Sequence, residues 1–405
     1  MNRLKLRLTA VCLAALILAC GLPVRADTLG PGDAGEQVTA LKTRLYELGY
    51  FSSKKFSNDY NDVTAQHVRE FQLINGLAVT GDTDEATWEA LFAEDARTAF
   101  RPAKMTEDNY ENFVWPVLPN DFPVTDDEGF LPSADQEPYV YASRENGFWC
   151  YISHDAHIEI RRMYEGITPL TWFESEIWLR GEERLRSLMD PKFRKLVNRD
   201  PREIAKDYQA VLAVSDDFYG YRYYHETQKA GIIVRERQVV YNKTKKSGTH
   251  TLPNMDVIAL FEDGTLKTFD SQEYTAQEYL DMGVTDTWAF GPILLRDGEI
   301  DERLLESAKY YVDIDPRSAI GMVEPNHYII LSVLGRQTES LGIRPIWLAQ
   351  RMQDLGCTEA LNLDGGNTIA VVFMGDMINK PEGANTGYMK GIRFLSSMIG
   401  AGTIQ

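Results

Sequence analysis

Cysteine and histidine are scarce in this chain. Its 405 residues include four cysteines and six histidines, and no CxxC pair or Cys/His spacing typical of a metal site occurs. His154 and His157 lie close together in "HDAH", and we interpret this stretch as part of a strand with the two rings on opposite faces. The sequence therefore predicts no metal site and no cofactor.

A hydrophobic run long enough for a membrane helix is also missing after the first twenty residues. The opening "MNRLKLRLTAVCLAALILAC" places three basic residues before a short apolar stretch, a pattern typical of a secretory signal. "VRA" favours cleavage after Ala26, which makes residues 1–26 a signal peptide; lipoprotein-type processing at Cys20 is the alternative. We expect a protein that is secreted or associated with the cell envelope, with no later transmembrane segment.

Removal of this leader would leave only two cysteines, Cys150 and Cys357. Cysteines of exported proteins often pair, because the compartment outside the cell membrane is oxidising. Two separate buried thiols are an equally good interpretation of the same two residues. The sequence leaves both alternatives open.

Basic residues are fewer than acidic ones, 42 against 60, which gives a formal net charge of −18. The leader holds four basic residues and no acidic one, so the mature chain would carry −22. A field of that sign repels nucleic acid and anionic lipid, and we expect no nucleic-acid partner. An anionic substrate would have to be held by a local group of arginines.

Residues 29–95 show a helical pattern in three short stretches. "EQVTALKTRLYELGY" spaces apolar residues along one helical face, and Gly49 ends it. "TAQHVREFQLINGL" shows the same spacing, and "GDTDEATWEALF" begins with Asp82 or Thr83 as the expected N-cap and with Phe92 on the buried face. The pattern predicts a small three-helix bundle.

These stretches also resemble the peptidoglycan-binding domain of cell-wall hydrolases. The family's run of Gly-x-x-Gly, Leu-Gly-Tyr, Phe-Gln and Asn-Gly-Leu appears here as "GDAGEQVTALKTRLYELGY" and "REFQLINGLAVTG", followed by "ATWEALF". Lys42 stands where the family usually has glutamine. The resemblance implies that residues 29–95 bind peptidoglycan or another wall polysaccharide. A bundle that acts only as a spacer is the alternative.

The rest of the chain is predicted to form a linker and a second domain. Residues 96–139 are rich in proline and acid and lack periodicity, which is typical of a linker. Residues 140–405 alternate β-type runs with helices, which predicts an α+β domain with a mixed sheet. We expect the charged stretch from Arg161 to Lys206 to be helical.

Four motifs of this second domain occur in a fixed order: "FGPILLRDG", "DPRSAIGM", "LGRQ" and "LNLDGGNT". Together they resemble the phosphodiester glycosidase family, over a region from about Ala210 to Ile399. The best-known member of that family removes N-acetylglucosamine from a phosphodiester. The resemblance implies an exported hydrolase that acts on a sugar-phosphate substrate.

The reaction class fits particular residues of these motifs. A sugar 1-phosphodiester breaks through an oxocarbenium-like state, which carboxylates stabilise. Asp364 is the principal catalytic candidate, and Asp216 and Asp217 are further candidates because they follow an apolar strand. The departing phosphate needs cationic and N–H donors. The candidate substrate-binding residues are Arg317, Arg336, Gly365, Gly366, Asn367 and Thr368.

Plainer interpretations accompany these assignments. Asp364 also fits a turn residue that caps its own backbone, Arg317 an ion-pair partner of Asp315, and Arg336 a solvated side chain. Ser215-Asp216 replaces the Asn-Gly that the family usually has, which puts a charge where the family keeps the backbone open. The alternatives to a hydrolase are therefore a catalytically weakened relative that binds wall glycans, and a structural protein that crosslinks wall ligands.

Overall fold

The computed structural model describes residues 28–51, 57–97, 113–165, 169–189, 198–217, 231–243, 255–300, 305, 314–337, 340–379 and 393–404. The chain divides into two compact units, residues 1–100 and residues 101–405. The predicted signal peptide, with Cys20, lies outside the described residues. Among the residues that the structure describes, none of the helices has the length and apolar character needed to traverse a bilayer.

The first unit contains the three helices that the sequence predicts: α1 (Glu36–Glu47), α2 (Asp62–Ile74) and α3 (Glu85–Phe92). Their apolar faces meet in one buried core. Asp84, and not Asp82 or Thr83, is the N-cap of α3, because its side chain accepts a hydrogen bond from the Thr87 N–H. Phe92 is 40% exposed instead of buried. The three helices are thus present, and their description as a bundle stays a prediction.

Lys42 occupies the interior of this first unit. Its side chain is 1% exposed, and its Nζ donates to the backbone oxygens of Ser57 and Asp59. Burial lowers the pKa of this ammonium group, and the nearby Asp59 carboxylate opposes the effect. The departure from the family's usual glutamine is therefore accommodated by two backbone acceptors.

The described residues of the second unit are rich in strands, and the helices among them are short. Its helices are α4 (Pro201–Asp207), α5 (Ala276–Asp281) and α6 (Pro345–Asp354). Its strands are β1 (Phe113–Val114), β2 (Tyr139–Ser143), β3 (Phe148–Ile152), β4 (Ala156–Glu165), β5 (Leu170–Leu179), β6 (Arg186–Ser187), β7 (Ala210–Ser215), β8 (Gly231–Arg235), β9 (Gln238–Lys243), β10 (Asp256–Phe261), β11 (Leu266–Phe269), β12 (Val284–Phe290), β13 (Ile293–Leu295), β14 (Arg317–Glu324), β15 (His327–Val333), β16 (Glu359–Leu363), β17 (Val371–Phe373), β18 (Asp376–Met377) and β19 (Met398–Thr403).

The strands of the described residues form four sheets. The largest has the order β13-β16-β14-β15-β5-β4-β3-β2, with β1 paired to β4. A five-stranded sheet has the order β18-β17-β7-β19-β6, and smaller sheets have the orders β11-β10-β12 and β8-β9. The main core is one buried apolar cluster to which the largest sheet, the five-stranded sheet and the β11-β10-β12 sheet all contribute. The fold is mixed, and the sheets dominate its C-terminal part.

The prediction of a helical stretch from Arg161 to Lys206 is wrong over most of its length. Over its described residues, 161–165, 169–189 and 198–206, this stretch contains the end of β4 and all of β5, and the helix there is confined to α4. In β4, "AHIEIRRMYE" buries nearly every second residue, a period of two that marks a strand. The charged residues fall on the face away from the core, and their number hid the alternation.

The "HDAH" stretch is a turn followed by a strand. His154 and Asp155 lie in the turn between β3 and β4, and only His157 belongs to β4. The prediction that both histidines lie in a strand is therefore wrong. Cys150 on β3 and Cys357 after α6 are both buried and both free, so the structure supports the separate-thiol interpretation.

Candidate functional site

The motifs singled out in the sequence meet through backbone hydrogen bonds in the second unit. The Ser215 N–H at the end of β7 donates to the Ala370 carbonyl at 3.0 Å. The Gly291 N–H after β12 donates to the Asn362 carbonyl of β16 at 3.0 Å. The Gly366 N–H donates to the Pro316 carbonyl at 3.1 Å. Three of the four motifs thus converge at the ends of β12, β14 and β16, beside the end of β7.

Asp364 stands directly after β16, where the chain enters a short 3-10 turn over Gly366–Thr368. Its Oδ2 accepts a hydrogen bond from the Thr368 hydroxyl at 2.8 Å. The same hydroxyl oxygen accepts from Arg393 Nη1 at 2.8 Å. Asp364 is half-buried, whereas Thr368 is buried. A carboxylate, a hydroxyl and a guanidinium are thereby ordered in one chain of hydrogen bonds.

The two glycines after Asp364 have a steric role. A Cβ on Gly365 would lie 2.0 Å from the Pro316 carbonyl oxygen and 3.0 Å from Arg317 Cα. Gly366 has a φ of 64°, in the region that favours glycine. These glycines let the loop approach the start of β14 closely, and the N–H of Gly366 is engaged by Pro316.

Asp216 and Asp217 follow β7 and belong to a buried cluster with Arg235 of β8. Arg235 Nη2 lies 2.6 Å from Asp217 Oδ1 and 3.5 Å from Asp216 Oδ2, and the Arg235 side chain is fully buried. Asp217 Oδ2 also accepts from the Ala289 N–H at 3.0 Å, and Asp216 accepts from the Ser397 hydroxyl. We call these residues the Arg235 cluster.

Two carboxylates share one guanidinium in the Arg235 cluster. Burial raises the pKa of Asp216 well above its usual range, and the Asp217 charge beside it raises it further. Arg235 and the Ser397 hydroxyl act in the opposite direction. The arrangement favours a neutral, protonated Asp216 next to an Arg235–Asp217 ion pair.

The two predicted arginines differ in their surroundings. Arg317 is 2% exposed at the start of β14, and its Nε donates to the Ile343 carbonyl at 3.0 Å. Arg336 has a side chain that is 48% exposed, and its Nε and Nη2 donate to Asp315 Oδ1 at 3.0 and 2.8 Å. Asp315 thus pairs with Arg336. The Arg317 Cα adjoins Gly365 of the loop over residues 364–368, which we call the Asp364 loop.

Sequence reasoning missed several residues of this region. Asn362, fully buried on β16, donates from Nδ2 to the Gly291 carbonyl at 2.9 Å, and its Oδ1 meets no donor within the described ranges. A polar residue inside the apolar run "ALNL" was the available signal. Arg235 and Arg393 lie outside the recognised motifs, and nothing in their local sequence indicated that they reach the site.

Asp256, at the start of β10, is a further buried carboxyl near this region. A Cβ on Gly291 would lie 2.9 Å from its Oδ2. Burial raises its pKa to about 6, and the Asp270 charge adds to the effect. Hydrogen bonds from the Ile293 and Ser271 N–H groups oppose the rise. The Asp256 carboxyl group therefore lies directly against the backbone turn at Gly291.

Two known family models match parts of the two units. Residues 208–400 match the sequence model of the phosphodiester glycosidase family. This part of the second unit is therefore similar to phosphodiester glycosidases. Residues 34–91 match the model of the peptidoglycan binding domain. Both resemblances predicted from the sequence motifs are confirmed.

Individual relatives of this chain are distant. A SPbeta prophage-derived uncharacterized protein, YomE, of Bacillus subtilis (strain 168) is 28% identical over 127 residues, which are 31% of this chain and 19% of that protein. The match therefore spans only about a fifth of the relative's length.

The similar solved structures are also distant from this chain in sequence. The catalytic domain of zebrafish N-acetylglucosamine-1-phosphodiester alpha-N-acetylglucosaminidase, auto-inhibited by its pro-peptide, is 18% identical with a TM-score of 0.45. That alignment covers 65% of this chain and 87% of the other. A hypothetical protein from Synechocystis is 14% identical with a TM-score of 0.41, over 62% of each chain.

Proposed function

We propose that the protein is an exported, wall-associated hydrolase of glycosyl 1-phosphodiester linkages, held at the wall by its peptidoglycan-binding unit. The observation that carries this proposal is the ordered Asp364–Thr368–Arg393 chain of hydrogen bonds in a loop of the glycosidase domain. The peptidoglycan-binding match at residues 34–91 supports the location. Asp364 is the catalytic carboxylate of the proposal.

The proposed reaction breaks the bond between the anomeric carbon and the phosphate oxygen. The phosphate leaves with the bonding electron pair, and water supplies the hydroxyl group of the released sugar. Asp364 stabilises the positive charge that develops at the anomeric carbon. The Thr368 hydroxyl, itself held by Arg393, keeps the carboxylate in one orientation.

In this proposal, the groups around the Asp364 loop bind the phosphate. Arg317 lies at the start of β14 against Gly365, and we propose that it orients the phosphate. Asn367, half-buried in the 3-10 turn, and the backbone at Gly365 complete the substrate-binding set. Arg336 is assigned a lesser share, because its guanidinium already pairs with Asp315.

A catalytically weakened wall glycan-binding protein is the second candidate. The observation in its favour is that donors expected for a phosphate are engaged within the protein. The Gly366 N–H bonds to the Pro316 carbonyl, and Arg336 pairs with Asp315. A site of this kind would hold a glycan with less stabilisation of the departing phosphate.

A substrate panel separates the two candidates. The purified chain is incubated with sugar 1-phosphodiesters that differ in sugar and anomeric configuration, and with anionic wall polymers. The hydrolase predicts release of a reducing sugar and of a phosphomonoester in equal amounts. Binding to the panel without release of either product would instead favour the glycan-binding protein.

The wall-targeting part of the proposal has its own test. The full chain and a chain that begins at Arg101, the first residue of the second unit, are sedimented with insoluble peptidoglycan. We expect the full chain to pellet and the shortened chain to stay in solution, with equal turnover of a soluble substrate. Equal pelleting of both chains would remove the targeting role of the first unit.

A further inference from the structure

A cysteine, a histidine and a glutamate meet on the outer face of the largest sheet. Cys150 of β3 lies directly opposite Glu159 of β4, and His157 stands two residues before Glu159 on the same face. The neighbouring residues Trp149 and Ile158 point the other way, into the main core. One ligand atom from each of the three side chains lies within 4.8 Å of the other two.

The histidine ring is held in a fixed orientation. It packs on Trp178 with ring centroids 4.9 Å apart and an interplanar angle of 37°. His157 Nε2 lies 3.2 Å from Glu159 Oε1. On the other carboxylate oxygen, Glu159 accepts from Arg161, whose second amino group pairs with Glu176 at 2.9 Å. The ring nitrogen and Oε1 are thereby presented side by side.

From this geometry we propose that Cys150, His157 and Glu159 form a binding site for a divalent cation of the zinc class. Thiolate sulfur, imidazole nitrogen and carboxylate oxygen are the donors that zinc takes in proteins. Two ligands about 2.0 Å from a tetrahedral ion stand roughly 3.3 Å apart, which matches the separation of His157 Nε2 and Glu159 Oε1. This site is separate from the Asp364 loop. Metal binding there would be a property additional to the proposed hydrolysis.

Charge and access are consistent with such an ion. On binding, a metal–sulfur bond forms and the Cys150 thiol releases its proton to solvent. The thiolate and the Glu159 carboxylate then offset the two positive charges of the ion, while Arg161 remains paired with Glu176. The side chains of His157 and Glu159 are 15% and 13% exposed, so a water molecule can fill the fourth position.

The same cluster has a plainer explanation, which the experiment must distinguish from metal binding. His157, Glu159, Arg161 and Glu176 also form a continuous network of ion pairs and hydrogen bonds on the sheet, and Cys150 packs in an apolar cluster with Phe148 and Ile152. A network of that kind needs no ion. Only the ion requires the sulfur of Cys150 as a partner of His157 and Glu159.

Cobalt(II) reports a sulfur ligand directly, because a cobalt–thiolate bond gives an intense near-ultraviolet charge-transfer absorption. The full chain, without a histidine tag, is freed of metal by a chelator, reduced, and titrated with cobalt(II) chloride. We expect a charge-transfer band that saturates at one equivalent and disappears when zinc chloride is added. His157→Ala should weaken cobalt binding at least tenfold.

Two cysteine variants give the matched control. Cys150→Ser should abolish the band, whereas Cys357→Ser should keep it, because Cys357 lies after α6 and outside the cluster. Circular dichroism and thermal melting of both variants check that the fold is retained. Absence of the band in the wild-type chain would overturn the proposal irrespective of how the variants fold, as would a band that survives Cys150→Ser.

Discussion

The Arg235 cluster and the Asp364 loop differ in exposure and in the partners of their carboxylates. Asp216 and Asp217 are buried and share a fully buried guanidinium. Asp364 is half-buried, and its Oδ2 is held by a hydroxyl group. Both clusters follow the end of a buried strand, so position along the strand does not distinguish them. The depth of burial and the neutralising partner do.

This difference assigns different tasks to the carboxylates. A buried Arg–Asp ion pair with a second carboxyl group beside it contributes to the fold, because removing one partner would leave a buried charge uncompensated. A half-buried carboxylate that is oriented by a hydrogen bond remains able to face a ligand. The Ser215-Asp216 departure therefore places its extra carboxyl group beside Arg235, and we infer that Asp216 and Asp217 act in stability more than in catalysis.

The largest expected effect comes from removing Arg235. Arg235→Met keeps the length of the side chain but leaves the buried Asp217 carboxylate without the arginine that pairs with it. We expect a loss of about 3–5 kcal/mol in the free energy of unfolding of the second unit. Urea denaturation measures it. Arg336→Ala, which removes an exposed ion pair, is the control and should cost less than about 1 kcal/mol. Equal losses in the two variants would contradict the comparison.

The protonation state of Asp216 predicts a pH dependence of stability. Because its pKa is raised in the folded state, the folded chain binds more protons than the unfolded chain. The resulting stabilisation is complete below the ordinary pKa, about 4, and is lost as the pH rises through the raised value. Asp216→Asn is neutral at every pH and lacks this loss.

The stability of Asp216→Asn relative to the wild type should therefore increase as the pH rises from 4 to 8. The slope should reach at most about 1.4 kcal/mol per pH unit, the value for one proton. Thermal melting across that range measures it, with the exposed Asp135→Asn as the control. Parallel curves for the Asp216 variant and the wild type would mean that Asp216 has no raised pKa.

A smaller effect distinguishes the two arginines of the motifs. Arg317→Ala should raise KM tenfold or more, because we propose that this residue orients the phosphate before the bond breaks. Arg336→Ala should change KM by less than about threefold, since Asp315 already holds its guanidinium. Steady-state kinetics on the best substrate of the panel gives both values. The reverse order would move the phosphate site to the "LGRQ" loop.

Much of the fold could be predicted from periodicity and turn residues. The hairpin β10–β11 turns at Asp263-Gly264 and the hairpin β14–β15 at Pro325-Asn326, as the sequence indicates. The stretch containing β4 and β5 was mispredicted because charged residues cover the outer face of these strands. Local composition cannot show that such residues line a sheet instead of a helix.

The candidate site could be predicted only in part, for a related reason. Asp364 and Arg317 stand in recognisable motifs, and the structure brings their loops together. Arg235 and Arg393 come from distant segments, and their contacts depend on the tertiary structure alone. The same holds for Cys150 and Glu159, which the strand register places opposite each other although no sequence spacing indicates it.

The role of Asp364 is tested most directly by one pair of variants. Asp364→Asn keeps the shape and the hydrogen bond from Thr368 but removes the charge, and Asp315→Asn serves as a matched aspartate outside the loop. We expect kcat of Asp364→Asn to fall by roughly a hundredfold or more, about 3 kcal/mol of barrier, with an unchanged melting temperature. Asp315→Asn should retain most of the activity. An Asp364→Asn variant that melts at a much lower temperature yet keeps its kcat would show that Asp364 is a turn residue and not the catalytic carboxylate.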